Sequence, residues 1–177
     1  MKKLGLLIIV AAVIMMISSL AAAQTATGTL TVTATVNSSI NLVFNNDGSG
    51  VPLSSGAGTN TATLNFGNVS AFGAVAANVT RSTTATTFTV STPVDVLVTK
   101  ANSASANYTL KAQLGAADAV NTWQVGGTTV TNAAQSTITA TGTYGANVPE
   151  AIALTVPFTT ANATAISNTI NFTATAN

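Results

Sequence analysis

The chain has 177 residues, five Lys and Arg against four Asp and Glu, and neither His nor Cys. Without thiol or imidazole there is no thiolate metal site, no cysteine nucleophile and no histidine base. Charged residues make up 5% of the chain, and its polarity is carried instead by 33 Thr, 14 Ser and 17 Asn, so it lacks the basic face that nucleic acid or an anionic membrane surface requires.

Met1-Lys2-Lys3 is a short cationic start, Leu4 to Leu20 is an apolar run broken only by Ser18 and Ser19, and Ala21-Ala22-Ala23 precedes Gln24. Residues 1–23 therefore read as a secretory signal with Gln24 as the mature N-terminus. The alternative is an uncleaved anchor, since the run is about long enough to cross a bilayer. There is no Cys for a lipid anchor, and Gly5 is followed by apolar residues rather than the Glu of a type IV pilin leader. Beyond residue 23 remain Arg81, Lys100 and Lys111 against Asp47, Asp95, Asp118 and Glu150, a net charge of −1. Residues 24–177 make one domain of ordinary size, large enough to hold a core without disulfides.

From Thr25 to Val36 the chain alternates strictly, with Thr at odd positions and Ala26, Gly28, Leu30, Val32, Ala34 and Val36 at even ones. One face is apolar and the other is threonine. The register continues through Ile40, Leu42 and Phe44 to a turn at Asn45-Asn46-Asp47-Gly48-Ser49-Gly50. Further strands are expected at Thr61–Phe66, Ala74–Val79, Thr84–Val90, Val94–Thr99 and Tyr108–Leu114. Trp123–Val125 pairs with Thr128–Thr131 across Gly126-Gly127, and Thr137–Thr141, Ile152–Phe158 and Asn168–Ala176 follow. Ala116–Ala119 has room for one helical turn, but no apolar stripe of helical period survives elsewhere. Many short antiparallel strands without helices predict an all-β sandwich, with Val94/Val96/Val98, Tyr108/Leu110/Ala112, Ile152/Leu154/Val156/Phe158 and Ile170/Phe172/Ala174 facing inward. An outer-membrane barrel would need aromatic girdles that six Phe, two Tyr and one Trp do not supply. A β-solenoid would need a fixed repeat that the Thr-x-Thr triplets lack.

Leu64-Asn65-Phe66-Gly67-Asn68-Val69-Ser70 resembles the "L-x-F-G-x-[VL]-S" segment of bacterial pilin-like surface domains, the group of spore coat U proteins and archaic chaperone-usher pilins. Leu154-Thr155-Val156-Pro157-Phe158 and Asn168-Thr169-Ile170-Asn171-Phe172-Thr173-Ala174 are similar to the closing strands of that group, and the alternating strand after the signal also matches. The chain lacks the cysteine pair many of those subunits carry, and Gly142-Thr143-Tyr144 stands ahead of the penultimate strand rather than the last. The resemblance implies an Ig-like, pilin-like sandwich, secretion through the periplasm with a chaperone and an usher as partners, and assembly into surface filaments.

Candidate chemistry is sparse. Two of the four acids could form a glycosidase pair, but nothing in the sequence brings Asp47, Asp95, Asp118 or Glu150 together, and they read as solvated surface. Neither Lys100 nor Lys111 follows a Ser at the spacing of a Ser-Lys nucleophile. Asn46-Asp47-Gly48-Ser49 reads as a turn rather than a calcium loop, having one carboxylate and no downstream Glu. Trp123 reads as core or hairpin packing rather than a sugar platform. The Asn-x-Ser/Thr triplets are those expected by chance in so Asn- and Thr-rich a chain, and are not read as glycosylation sites. No catalysis, cofactor, metal, nucleic-acid partner or membrane contact after signal removal is expected.

Residues 25–36 have high β-propensity, no charge and no Pro, and so none of the devices that keep an edge strand from pairing with a neighbour. Two destinations stay open: a strand within its own sandwich, or donation to a second copy through Leu30, Val32, Ala34 and Val36. The expected function is a secreted filament subunit with copies of itself as partners. The alternative is a monomeric adhesion or glycan-binding module using loops such as Val51 to Asn60 or Gly115 to Asn121.

Overall fold

The computed structural model describes residues 27–177. The expected signal at 1–23, with the mature N-terminus at Gln24, lies outside the described residues. Contacts divide the chain into a unit ending at Thr35 and a second unit, Val36–Asn177. In the described residues there is no helix, and none therefore is long and apolar enough to cross a membrane.

The strands are β1 (Ser39–Asn45), β2 (Thr80–Thr83), β3 (Thr87–Ala101), β4 (Tyr108–Leu114), β5 (Thr122–Val125), β6 (Thr128–Val130), β7 (Ser136–Gly142), β8 (Asn147–Pro157) and β9 (Ile170–Ala176). They form two antiparallel sheets, one ordered β1-β3-β8-β5-β6 with β2 also on β3, the other β7-β4-β9. The all-β sandwich expected from the alternation is present. Its core comes from period-two faces: Phe88, Val90, Val94, Val96 and Val98 on β3, Tyr108, Leu110, Ala112 and Leu114 on β4, and Ile152, Leu154 and Val156 on β8.

Several expected elements are drawn differently. Thr84–Val90 and Val94–Thr99 are one strand, β3, that runs through Pro93 and is preceded by the short partner β2. Pro93 is tolerated because β2 pairs β3 only as far as Ser91 and β1 only from Asp95, so the missing N–H falls in a break of the edge ladder. Other groups fill that break. The buried Thr92 hydroxyl accepts from Val51 N–H at 2.7 Å and donates to the Asn78 carbonyl at 2.9 Å, while the Asn78 amide donates to the Gly50 carbonyl at 2.9 Å. A Cβ on Gly50 would stand 2.1 Å from the Pro93 carbonyl oxygen, so only glycine passes there.

Thr61–Phe66 and Ala74–Val79 are not strands. The first keeps its alternation, with Ala62, Leu64 and Phe66 half-buried, but makes only the isolated bridge between Ser55 and Thr63. Alternation orients side chains, yet a strand also needs a neighbour to take its backbone hydrogen bonds. The same reason explains the N-terminal segment: residues 27–38 belong to no strand, although the alternation predicts one over Thr25–Val36. Leu30, Val32 and Val36 are 85%, 79% and 75% exposed, and Ala34 is exposed too. Ala116–Ala119 forms no helical turn.

Candidate functional site

In the second unit, β9 pairs β4 on one side and, among the described residues, no strand on the other. The opposite edge of the sandwich is closed: Leu114 N–H donates to the Thr131 carbonyl and the Ser136 hydroxyl to the Thr129 carbonyl, both at 3.0 Å. Along the β9 side runs a groove of about 1440 Å³. Its floor is made by Val94 and Val96 of β3, Ile152, Leu154 and Val156 of β8, and Trp123. One wall is Ile170 and Phe172 of β9 with Ile166 ahead of it, and the other is the irregular segment carrying Leu64, Phe66 and Val69.

The groove is larger than the roughly 300–1,000 Å³ of small-molecule pockets, and it is elongated. Phe88 and Val96 both line it and stand eight residues apart on one strand, a run of about 26 Å at 3.3 Å per residue. No Asp, Glu, Lys or Arg lines it, so an occupant meets apolar surface and unpaired strand edge, but no acid or base. At the inner end Phe44 and Phe172 meet edge-on, ring centroids 5.2 Å apart. β9 is only half-buried at Ile170, Phe172 and Ala174, which corrects the expectation of a fully inward face. Phe158, also expected inward, is 38% exposed.

The acids take places the sequence did not suggest. Asp47 and Asp95 are brought within hydrogen-bonding reach, because β1 pairs β3 with Asn45 opposite Asp95 and Asp47 follows in the turn. Burial and the neighbouring Asp47 raise the Asp95 carboxyl, whereas the Ser49 hydroxyl and N–H, at 2.6 and 2.7 Å, lower Asp47. The pair lies outside the groove, and carboxyls in hydrogen-bonding contact are closer than the about 5 Å that leaves room for a glycosidic bond. Among the described residues no three acids cluster as metal ligands.

Asp118 is a structural anchor. Burial pushes its carboxyl up, but the Asn121 N–H, the Trp123 indole, the Asn121 amide and the Val120 N–H outweigh that and bring it to about 2. The indole bond is 2.8 Å long and fixes the buried Trp123, which pairs with Val130 across the hairpin as core packing, against the groove floor. Asp118→Ala is expected to cost about 2 kcal/mol through the freed donors, read by chemical denaturation with Trp fluorescence. Because the folded pKa lies below the ordinary 3.8, the contribution is intact above pH 3.8 and is lost as pH falls towards 2.

Glu150, expected at the surface, is buried at 6% exposure. It shares the parity of Ile152, Leu154 and Val156 on β8, and the Thr139 hydroxyl donates to its Oε1 at 3.3 Å. Burial raises its pKa above the ordinary 4.5, with the Thr139 bond opposing. The folded state then holds the proton more tightly than the unfolded one. Stability is greatest below pH 4.5 and declines as pH rises until the folded carboxyl has ionised too. Glu150→Gln should remove that decline and raise the melting temperature at neutral pH by a few degrees, measured by thermal denaturation across pH 4–8.

Fold and groove together define an antiparallel β-sandwich in which, among the described residues, β9 pairs on one side only and an apolar groove runs along its other side. Compared with protein-family models, curated proteins and solved structures, the chain matches none.

Proposed function

We propose that this protein is a structural subunit that polymerises by strand donation, the N-terminal segment of one copy entering the groove of the next. The observation that carries this reading is complementarity within one sequence. The groove is apolar, uncharged and nine residues long on β3, and Gly28 to Val36 is a nine-residue, uncharged, exposed segment with its apolar side chains at every second position. The unpaired edge of β9 offers the ladder such a segment needs. Seating Leu30, Val32 and Val36 contributes about 1.5–3 kcal/mol each, and each ladder hydrogen bond about 1 kcal/mol, before ordering costs.

In this proposal the chain is secreted through the periplasm, works as part of a surface filament with copies of itself as partners, and catalyses nothing. The family resemblance adds a periplasmic chaperone and an usher to its partners. Electron microscopy of the concentrated protein tests it: filaments are expected, and isolated particles at every concentration would favour a monomeric adhesion module.

A further inference from the structure

At its Phe88 end the lining of the groove includes Phe72 and Phe158. Phe72 is 73% exposed, yet its loop is held firmly. The Arg81 guanidinium donates from Nη1 to the Ser70 carbonyl at 2.9 Å and from Nη2 to the Gly73 carbonyl at 2.8 Å, and the Ser70 hydroxyl donates to the Phe72 carbonyl at 2.8 Å. The Phe72 ring lies 5.8 Å from Phe158, which stacks at 6.4 Å on the buried Phe88. A planar fork on two carbonyls presents an aromatic side chain in one place, so little freedom remains to be lost when a partner covers it.

We propose that Phe72 and Phe158, which line the groove at that end, form a dock for the body of the donating subunit, a second contact between copies beyond the seated strand; the inference rests on the strand-donation reading. Chain length argues for this occupant. Only Asn37 and Ser38 separate Val36, the last apolar residue of the donor segment, from β1 at Ser39, a reach of about 10 Å when extended. The donor body must therefore abut the end of the groove through which its segment leaves. At the inner end Phe44 and Phe172 meet edge-on and pack on the buried cluster of Val96, Val98, Tyr108 and Leu110, which leaves the end marked by Phe72 and Phe158 for the segment to leave by. The donor surface that follows the tether is the start of β1, where Ser39 and Ile40 pair with Ala101 and Lys100, and it brings no acid to the aromatic patch.

The test compares full-chain assembly with binding of a synthetic peptide of residues 24–38 to a variant lacking residues 24–36. In the full chain, Phe72→Ser with Phe158→Ser should raise the concentration for half-assembly about ten- to a hundredfold. The truncated form carrying the same two changes should lose less than about threefold in affinity for the peptide, which brings no donor body; a loss in peptide affinity equal to the loss in assembly would assign both rings to the seated strand and overturn the dock. Inserting Gly-Ser-Gly-Ser between Asn37 and Ser38 should weaken assembly similarly and add little to the double substitution, because both release the same contact. Unchanged assembly of the double variant, with the peptide still binding, would overturn the dock and leave strand donation standing. If the peptide binds neither truncated form, strand donation falls and the dock falls with it.

Discussion

Deleting residues 24–36 is expected to leave a folded subunit that cannot join a chain as donor, and Val32→Asp should do nearly the same. Val32 is 79% exposed in the free chain, so the carboxylate costs nothing there. In a groove without any cation it must be desolvated unpaired, at a cost of several kcal/mol, and assembly should weaken at least about a thousandfold. Thr31→Asp is the control. Its side chain points to the opposite face of the same strand, remains in solvent, and should weaken assembly less than about tenfold. Size-exclusion chromatography with light scattering reads all three beside the parent. Equal loss from Thr31→Asp and Val32→Asp would mean that charge in this segment matters but facing does not, and a seated strand would be excluded.

A second large effect concerns the receiving side. Ile170 stands half-buried on β9 and lines the groove, so Ile170→Asp should abolish acceptance by placing an unpaired carboxylate where the donor packs. It should leave the donor segment of the same molecule intact. Ile170→Asp and Val32→Asp subunits are each expected to be monomeric alone. Mixed, they should form a heterodimer of one to one stoichiometry, the Ile170→Asp chain donating to the unaltered groove of the other, and no longer species. The heterodimer also reports that both variants are folded. Failure to pair, with both melting like the parent, would contradict a donor and an acceptor in every chain.

Legibility in the sequence followed the availability of partners. β4, the β5–β6 hairpin and β7 lie within a residue or so of their expected bounds, because Tyr108/Leu110/Ala112/Leu114 and the Gly126-Gly127 turn are local signals; both glycines take positive φ, 54° and 79°. Thr61–Phe66 and Thr25–Val36 show equal alternation, yet neither forms a strand in its described residues, since period two specifies faces and not a neighbour. Thr84–Val90 and Val94–Thr99 are expected as two strands, yet Pro93 between them is interior to β3, because what Pro forbids is a ladder donor, and the break between β1 and β2 removes that need. Glu150, read as solvated surface with the other acids, shares the parity of Ile152 on β8, and that parity is the signal in the chain for its burial. The meeting of Asp47 with Asp95 depends on cross-strand register and had no signal in the chain. The groove had no signal in the chain, because it is lined by residues from β3, β8, β9 and an irregular segment that only the fold brings together; the chargeless alternation of Leu30, Val32, Ala34 and Val36, its proposed occupant, could be read directly.

The most direct measurement titrates the synthetic peptide of residues 24–38 into the variant lacking residues 24–36, following heat of binding and melting temperature. Strand donation predicts saturation at one peptide per subunit and a rise in melting temperature that grows with peptide concentration. It also predicts no binding by the same peptide carrying Val32→Asp. A truncated subunit that neither binds nor is stabilised by the unaltered peptide, while the full chain remains monomeric when concentrated, would contradict it.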